Sequence, residues 1–234
     1  MKCPRSRMKK VLFLLIAVAF AAATIAAQEE RYLKPADEAS QDPSFLEFRT
    51  KLIAAAERKD LKYVQSIMDP KIHLSLGGFY GLSGFRKLWK NESEFWAEFL
   101  PVIKNGGRFT GEGTNKLKTF SAPYVFTDMP EDLDHFEVFA VFGENVNLRE
   151  RPDAGATVIT KLSYNIVKAD HEAAVKRKIG PGEDDWKIDW QKVTTLGGQT
   201  GWMKAEYVRS PIDYRAGFEK KRGKWVMTFF LAGD

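Results

Sequence analysis

Phe45, Phe48, Leu52 and Ala55 recur at the spacing of one helical face, and Asp42-Pro43 stands just ahead of them. A carboxylate that accepts from the first free amides, then a proline whose missing N–H costs nothing in a first turn, predicts a helix start there. Leu61, Val64, Ile67 and Met68 repeat the helical spacing over residues 60–68, with Asp69-Pro70 as the stop. Ile72, Leu74 and Leu76 then alternate with Lys71, His73 and Ser75, the pattern of a half-buried strand. Gly77, Gly78, Gly81 and Gly84 predict a bend. Two helical patches follow, Phe85, Leu88 and Trp89, then Phe95, Trp96, Phe99 and Ile103. Pro101 should kink or divide the second patch, and Asn105-Gly106-Gly107 should end it. Residues 108–126 read as loop with short extended pieces, and 129–134 as a turn or a single helical turn. Residues 136–142 are apolar on both faces, which predicts a buried strand.

Residues 146–208 carry short apolar–polar alternations, a Pro-containing loop, the Gly197-Gly198 turn and a Gly201-Trp202 pair ahead of Tyr207-Val208. This pattern predicts a small five-stranded barrel. It resembles the bacterial SH3-like (SH3b) domain, best over Trp190-x-Lys192-Val193, Gly197-Gly198-x-Thr200-Gly201-Trp202 and Tyr207-Val208. The resemblance implies a module that binds and does not convert, with Trp202 and Val208 filling the barrel. It leaves the ligand open. The segment between Lys168 and Trp190 is longer than a barrel hairpin requires, and Gly180-Pro181-Gly182 should block continuous regular structure in it. A binding loop over the barrel mouth and a tolerated surface excursion both account for it.

After Ser210-Pro211 the chain reads as a hairpin. Tyr214, Ala216 and Phe218 face one way, Trp225, Met227, Phe229 and Leu231 alternate on the returning strand, and Gly223 supplies the turn. An isolated hairpin is marginal in water, so it is expected to pack on residues 44–127, beside the strand at 72–76. The fold class expected is therefore α+β: an N-terminal helical/α+β domain (42–134), an inserted SH3-like five-stranded β-barrel (135–212) and a closing C-terminal β-hairpin (213–234). A flexible leader (28–41) precedes them. The segments NGGRF, SAPYVF and GKWVMTFFLAGD resemble those of exported bacterial proteins built this way, an architecture that implies no particular activity.

Residues 1–27 read as a signal peptide, with Lys2, Arg5, Arg7, Lys9 and Lys10 ahead of an uncharged apolar run and cleavage expected after Ala27. Met8 begins a segment that is a complete signal by itself. The run over 11–27 is at the short limit for a membrane anchor, so no membrane span is expected after cleavage. Removing those five cations takes the net charge of +5 to zero, so the basic pI belongs to the targeting segment and nucleic acid is not an expected partner. Cys3 is the only cysteine and leaves with the signal. The mature chain then has no disulfide and no thiol nucleophile. With 44% hydrophobic and 13% aromatic residues, a packed core is expected and not a disordered tether.

Candidate chemistry is sparse. His73, His135 and His171 are isolated, with no pair at metal-ligand spacing. Asp170-His171-Glu172 lack a serine motif, and Gly81-Leu82-Ser83-Gly84 falls short of a nucleophile elbow. The Gly77–Gly84 cluster fits neither a phosphate loop nor a dinucleotide turn, and Glu131, Asp132 and Asp134 do not match a calcium loop. No cofactor and no metal are expected. If the barrel binds a peptide or glycan-peptide, aromatic side chains are the natural contacts: Tyr164, Trp186, Trp190, Trp202 and Tyr207, with Asp184, Asp185 and Asp189 to meet an amine. A core role competes for Trp190 and Trp202. The expected function is a non-enzymatic binding or scaffold protein, exported to the periplasm or beyond, that recognises cell-wall peptide (peptidoglycan) or a protein partner. The alternative is a periplasmic enzyme or small-ligand binder, with Phe79, Tyr80, Trp89 and Trp96 lining a pocket with His73 and Glu94.

Overall fold

The computed structural model describes residues 29–178, 180 and 186–233. The proposed signal segment and Asp184 and Asp185 lie outside the described residues. After a 3-10 turn at Ala39–Gln41 the chain runs through α1 (Pro43–Glu57), α2 (Leu61–Ser66), β1 (Met68–His73), α3 (Gly81–Leu88) and α4 (Glu92–Lys104). Then come β2 (Arg108–Phe109), β3 (Thr119–Ala122) and α5 (Tyr124–Asp128). Next are β4 (Val138–Val141), β5 (Val146–Arg149), β6 (Val158–Leu162), β7 (Ile166–Lys178), β8 (Trp186–Thr195), β9 (Thr200–Lys204) and β10 (Val208–Arg209). β11 (Arg215–Lys221) and β12 (Lys224–Leu231) complete the chain.

The architecture is mixed α+β with two sheets. The first has the order β1-β12-β11-β3-β2, with β1 and β12 parallel and the other pairs antiparallel. α1 starts where its cap allows: Asp42 Oδ1 accepts from the Ser44 amide at 2.7 Å and the Phe45 amide at 3.0 Å. The buried faces of α1 and α4 close over this sheet, with Phe45, Phe95, Phe99, Phe120 and Phe230 in its centre. The second sheet, order β10-β4-β7-β8-β9-β5-β6, is antiparallel throughout and curls into a half-barrel around Leu148, Val167, Val193 and Met203. It holds seven strands where five were expected. The additional pairing is of β10 with β4, Val208 opposite Val141. β4 is buried on both faces: Phe139 and Val141 enter the half-barrel, while Val138 and Ala140 pack against Tyr124, Val125 and Ile166.

Several expectations need correction. Residues 29–41 are docked and not a flexible leader. Leu33 is only 5% exposed and packs with Tyr124 and Ile166, and its amide donates to the Tyr164 carbonyl at 2.7 Å. Arg31 pairs with Asp132 at 2.6 Å. Glu30 accepts from the Asn165 side chain and the Gly197 amide, and the Gly107 amide donates to the Ala36 carbonyl. The polar composition concealed a strap held by its backbone and by Glu30 and Arg31.

The second helix ends at Ser66. Met68, Asp69 and Pro70 are strand, because β1 pairs with β12, Met68 opposite Met227, and an edge strand tolerates proline. Leu76 lies beyond that strand and is 59% exposed, not buried. Gly81 and Gly84 sit inside α3; the bend is confined to the turn before it. Pro101 does not divide α4, which runs on to Lys104. Phe136 is 62% exposed, since amides 136–138 fold onto Asp134 and delay the strand to Val138. In the β11–β12 pair a bulge between Gly217 and Phe218 shifts the register, so Phe230 and not Phe229 reaches the core. Among the described residues of the long excursion, β7 and β8 continue as a two-stranded ribbon, with Val175 opposite Trp190 and Lys178 opposite Trp186; Pro181 and Gly182, expected to interrupt it, lie outside the described residues.

Candidate functional site

α4, the β7–β8 ribbon and β10 face one another across a cleft of about 500 Å³. Ala97, Glu98 and Pro101 form one wall, and Phe139, His171, Trp186, Lys187, Gln191 and Arg209 the other, with Asp213 at one end. Each wall follows from local structure. Phe95, Trp96, Phe99 and Ile103 turn the opposite face of α4 into the first core, which leaves Ala97, Glu98 and Pro101 outward. Pro101 has no amide to give to the Ala97 carbonyl, so a backbone acceptor of the helix is left without its intrahelical partner beside the cleft. On the other wall the ribbon carries Trp186 and Lys187 out to meet α4.

The electrostatics of the cleft are set by Glu98, Lys187, Arg209 and Asp213. Arg209 donates from one terminal nitrogen to the Tyr214 carbonyl at 2.7 Å. Its Nε is buried with no hydrogen-bond partner. Burial lowers its pKa from the ordinary value, against the pull of Asp213 and Glu98, and a guanidinium stays charged regardless. Burial likewise pushes the Glu98 carboxyl up, an effect that Asp213 reinforces and that Arg209 and Lys187 oppose. No ion pair joins Arg209 to either acid among the described residues. A half-buried cation without an ion pair and a reluctant carboxylate therefore line the same space, with Trp186, Phe139 and Phe142. Such a cleft accepts a carboxylate at one point and an amine at another, with apolar area between.

The sequence-derived candidates do not converge. Trp186, 51% exposed, lines this cleft. Tyr207 lines a separate groove of about 280 Å³ with Asn147, Arg149, Trp190 and Lys204. Trp190 is buried under the Lys204 ammonium, 4.5 Å from the ring centre, and Asp189 is bound to the same lysine at 3.1 Å. Trp202 does not fill the half-barrel: Gly201 and Met203 point inward, so alternation turns Trp202 to the outer face, opposite Lys192. Tyr164 sits at a left-handed turn position, φ 58°, where its carbonyl receives the strap, and lines neither cavity. Asp185 lies outside the described residues.

The residues of the alternative pocket also separate. Trp89 and Trp96 belong to the first core, the Tyr80 ring meets the exposed side of β1 at His73, and Glu94 accepts from the Asn91 side chain on the surface. Glu98, Arg209, Asp213 and Lys187 were missed. They come from three distant segments, and no spacing in the sequence links them. Among the described residues no group of three His, Cys, Asp or Glu side chains is placed to hold a metal, and no helix is long and apolar enough to cross a membrane. No protein-family model, curated protein or solved structure matches the chain.

Proposed function

We propose that this is an exported, non-enzymatic binding protein of the bacterial envelope whose cleft holds a short peptide bearing both an amine and a carboxylate, the chemistry of a cell-wall stem peptide. The observation that carries this reading is the Arg209 guanidinium, which has no ion pair among the described residues and lines the same cleft as Glu98. A peptide carboxylate would meet the Arg209 guanidinium, its amine would meet Glu98 or Asp213, and its aliphatic part would lie on Trp186. An ordinary peptide N–H would find the Ala97 carbonyl. The half-barrel is read as an SH3-like module on the strength of its Trp190 to Val208 segment, and export on the basic and apolar halves of residues 1–27. Both readings agree with a role in recognition.

The test uses soluble muropeptides free of phosphate, titrated into the mature protein, with retention on purified sacculi as a second readout. Binding should weaken on the order of tenfold in Trp186→Ala and in Glu98→Gln, by loss of a stacked contact or a charge-assisted bond. If muropeptides do not bind and sacculi do not retain the protein at physiological salt, the cell-wall reading fails. Binding that these two substitutions leave unchanged would move the ligand out of the cleft.

A further inference from the structure

A third cavity, also of about 500 Å³, opens at the β11–β12 turn of the first sheet, lined by Asp42, Thr114, Leu117, Lys118, Lys220, Arg222 and Gly223. It is independent of the cleft: β11 alone, with seven residues, separates them by about 20 Å at the usual strand rise. The turn between β11 and β12 and the loop ahead of β3 are brought together by the Lys220 amide, which donates to the Lys118 carbonyl at 2.8 Å. Lys118, Lys220 and Arg222 thereby line one cavity, with Lys116, Lys221 and Lys224 their near neighbours in sequence.

Not all of these cations are engaged. Lys220 is tied to Asp42 and Ser44, Lys221 to Asp69 and Glu219, and Lys118 only to the neutral Asn115 side chain, at 3.1 Å. Asp42, the acid in the cavity, is spent as well: it caps α1 through the Ser44 and Phe45 amides and holds Lys220. By contrast, among the described residues no hydrogen bond or ion pair engages the side chain of Lys116, Arg222 or Lys224. Arg222 also occupies a costly position. It has φ 51° and Gly223 has φ 80°, the two left-handed positions of a two-residue hairpin turn where Asn-Gly is the favoured pair. An arginine is kept where the backbone would prefer asparagine, at the rim of a basic cavity, with its planar fork unoccupied.

We propose that this cavity binds a phosphate group, with Arg222 and Lys118 as its main donors and the Thr114 hydroxyl as a neutral one. A guanidinium and ammonium groups lining one cavity, whose acid Asp42 is already engaged by Lys220 and by the α1 cap, suit a tetrahedral oxyanion. The volume admits the molecule that carries it. A soluble phosphomonoester and a phosphodiester head group of an anionic lipid share this chemistry.

Two arms of one experiment separate those sources. The full mature chain is titrated with inorganic phosphate, and it is cosedimented with phosphatidylglycerol vesicles against phosphatidylcholine vesicles. Phosphate should shift the amide resonances of Thr114 and Gly223, or the anionic vesicles alone should retain the protein; whichever arm responds identifies the source. Arg222→Asn should weaken that response on the order of tenfold while raising the thermal midpoint, because asparagine relieves the left-handed turn. Lys118→Gln, which leaves the turn untouched, should weaken it too. The proposal is overturned if neither arm responds at low salt, or if both variants bind like the parent.

Discussion

The ring of Phe229 lies against the Cα of Gly217, filling the space in which a Cβ would have to stand. The two residues face each other across β11 and β12 at the edge of the bulge that shifts their register. Glycine is required here by a close approach and not by a turn, because its φ is not in the left-handed region. Gly217→Ala must push the ring aside or open the bulge, an overpacking change expected to cost about 1–3 kcal/mol. Chemical denaturation would show it as a lower midpoint at an unchanged slope. Gly217→Ala with Phe229→Ala should recover part of the loss, as coupled neighbours do.

The N-cap of α1 gives a pH-dependent prediction. Burial tends to raise the Asp42 carboxyl, but bonds from the Ser44 hydroxyl, the Phe45 amide and Lys220 together outweigh it, and its pKa falls below 3.8. Asp69 is lowered as well, first by its bond from Lys221. Both groups bind protons less readily folded than unfolded. Their stabilisation is therefore complete above the ordinary value of 3.8 and disappears as the pH falls through the folded values. Asp42→Ala should cost about 0.5–2 kcal/mol at neutral pH. Melting curves collected down the acid limb should show the deficit shrinking, while a constant deficit would assign the loss to packing.

Glu98 has the opposite sign. Its folded pKa is raised above 4.5, chiefly by burial, so the folded state holds its proton more tightly than the unfolded chain does. Stability falls as the pH rises from 4.5 through the folded value, and above it the full cost of the buried charge is present. Glu98→Gln is expected to raise the thermal midpoint at neutral pH and to match the parent near pH 4. The same substitution should weaken peptide binding. A gain in stability with a loss of ligand is the behaviour of a binding residue held in an unfavourable setting.

What the sequence disclosed was local. Asp42-Pro43 with the apolar spacing of Phe45 to Ala55 was sufficient to place the start of α1, because a cap and its helix are neighbours in the chain. The alternation that marks strands survived only until a bulge: nothing near Thr228 announces that Phe230 replaces Phe229 in the core, since the shift is decided by the partner strand. The Gly201-Trp202 pair drew attention to the tryptophan, yet its neighbours set the face. A Cβ on Gly201 would collide with the Leu148 side chain and the Arg149 carbonyl, so glycine points inward and Trp202 outward. Arg209 and Glu98 carry no signature at all, because their significance is a cleft assembled from opposite units of the fold.

The strap of residues 29–41 gives the last prediction and the sharpest departure from the polar appearance of its sequence. Leu33 is buried between α5 and the outer face of β4 and β7, in the apolar layer that includes Tyr124, Val125 and Ile166. Tyr124 itself stacks on Phe142 with their rings 2° from parallel. The strap adds backbone bonds on both sides of this layer, Leu33 to Tyr164 and Ile166 to Arg31 at one end, and Gly107 to Ala36 at the other. It thus ties the half-barrel to the first sheet. Leu33→Ala should cost about 2–5 kcal/mol, the range for a buried leucine emptied to alanine. Amide exchange should quicken at Ile166 and Val138, beside the emptied site, while Leu148 and Val193 inside the half-barrel stay protected. An unchanged midpoint would mean the segment is a loose tether in solution.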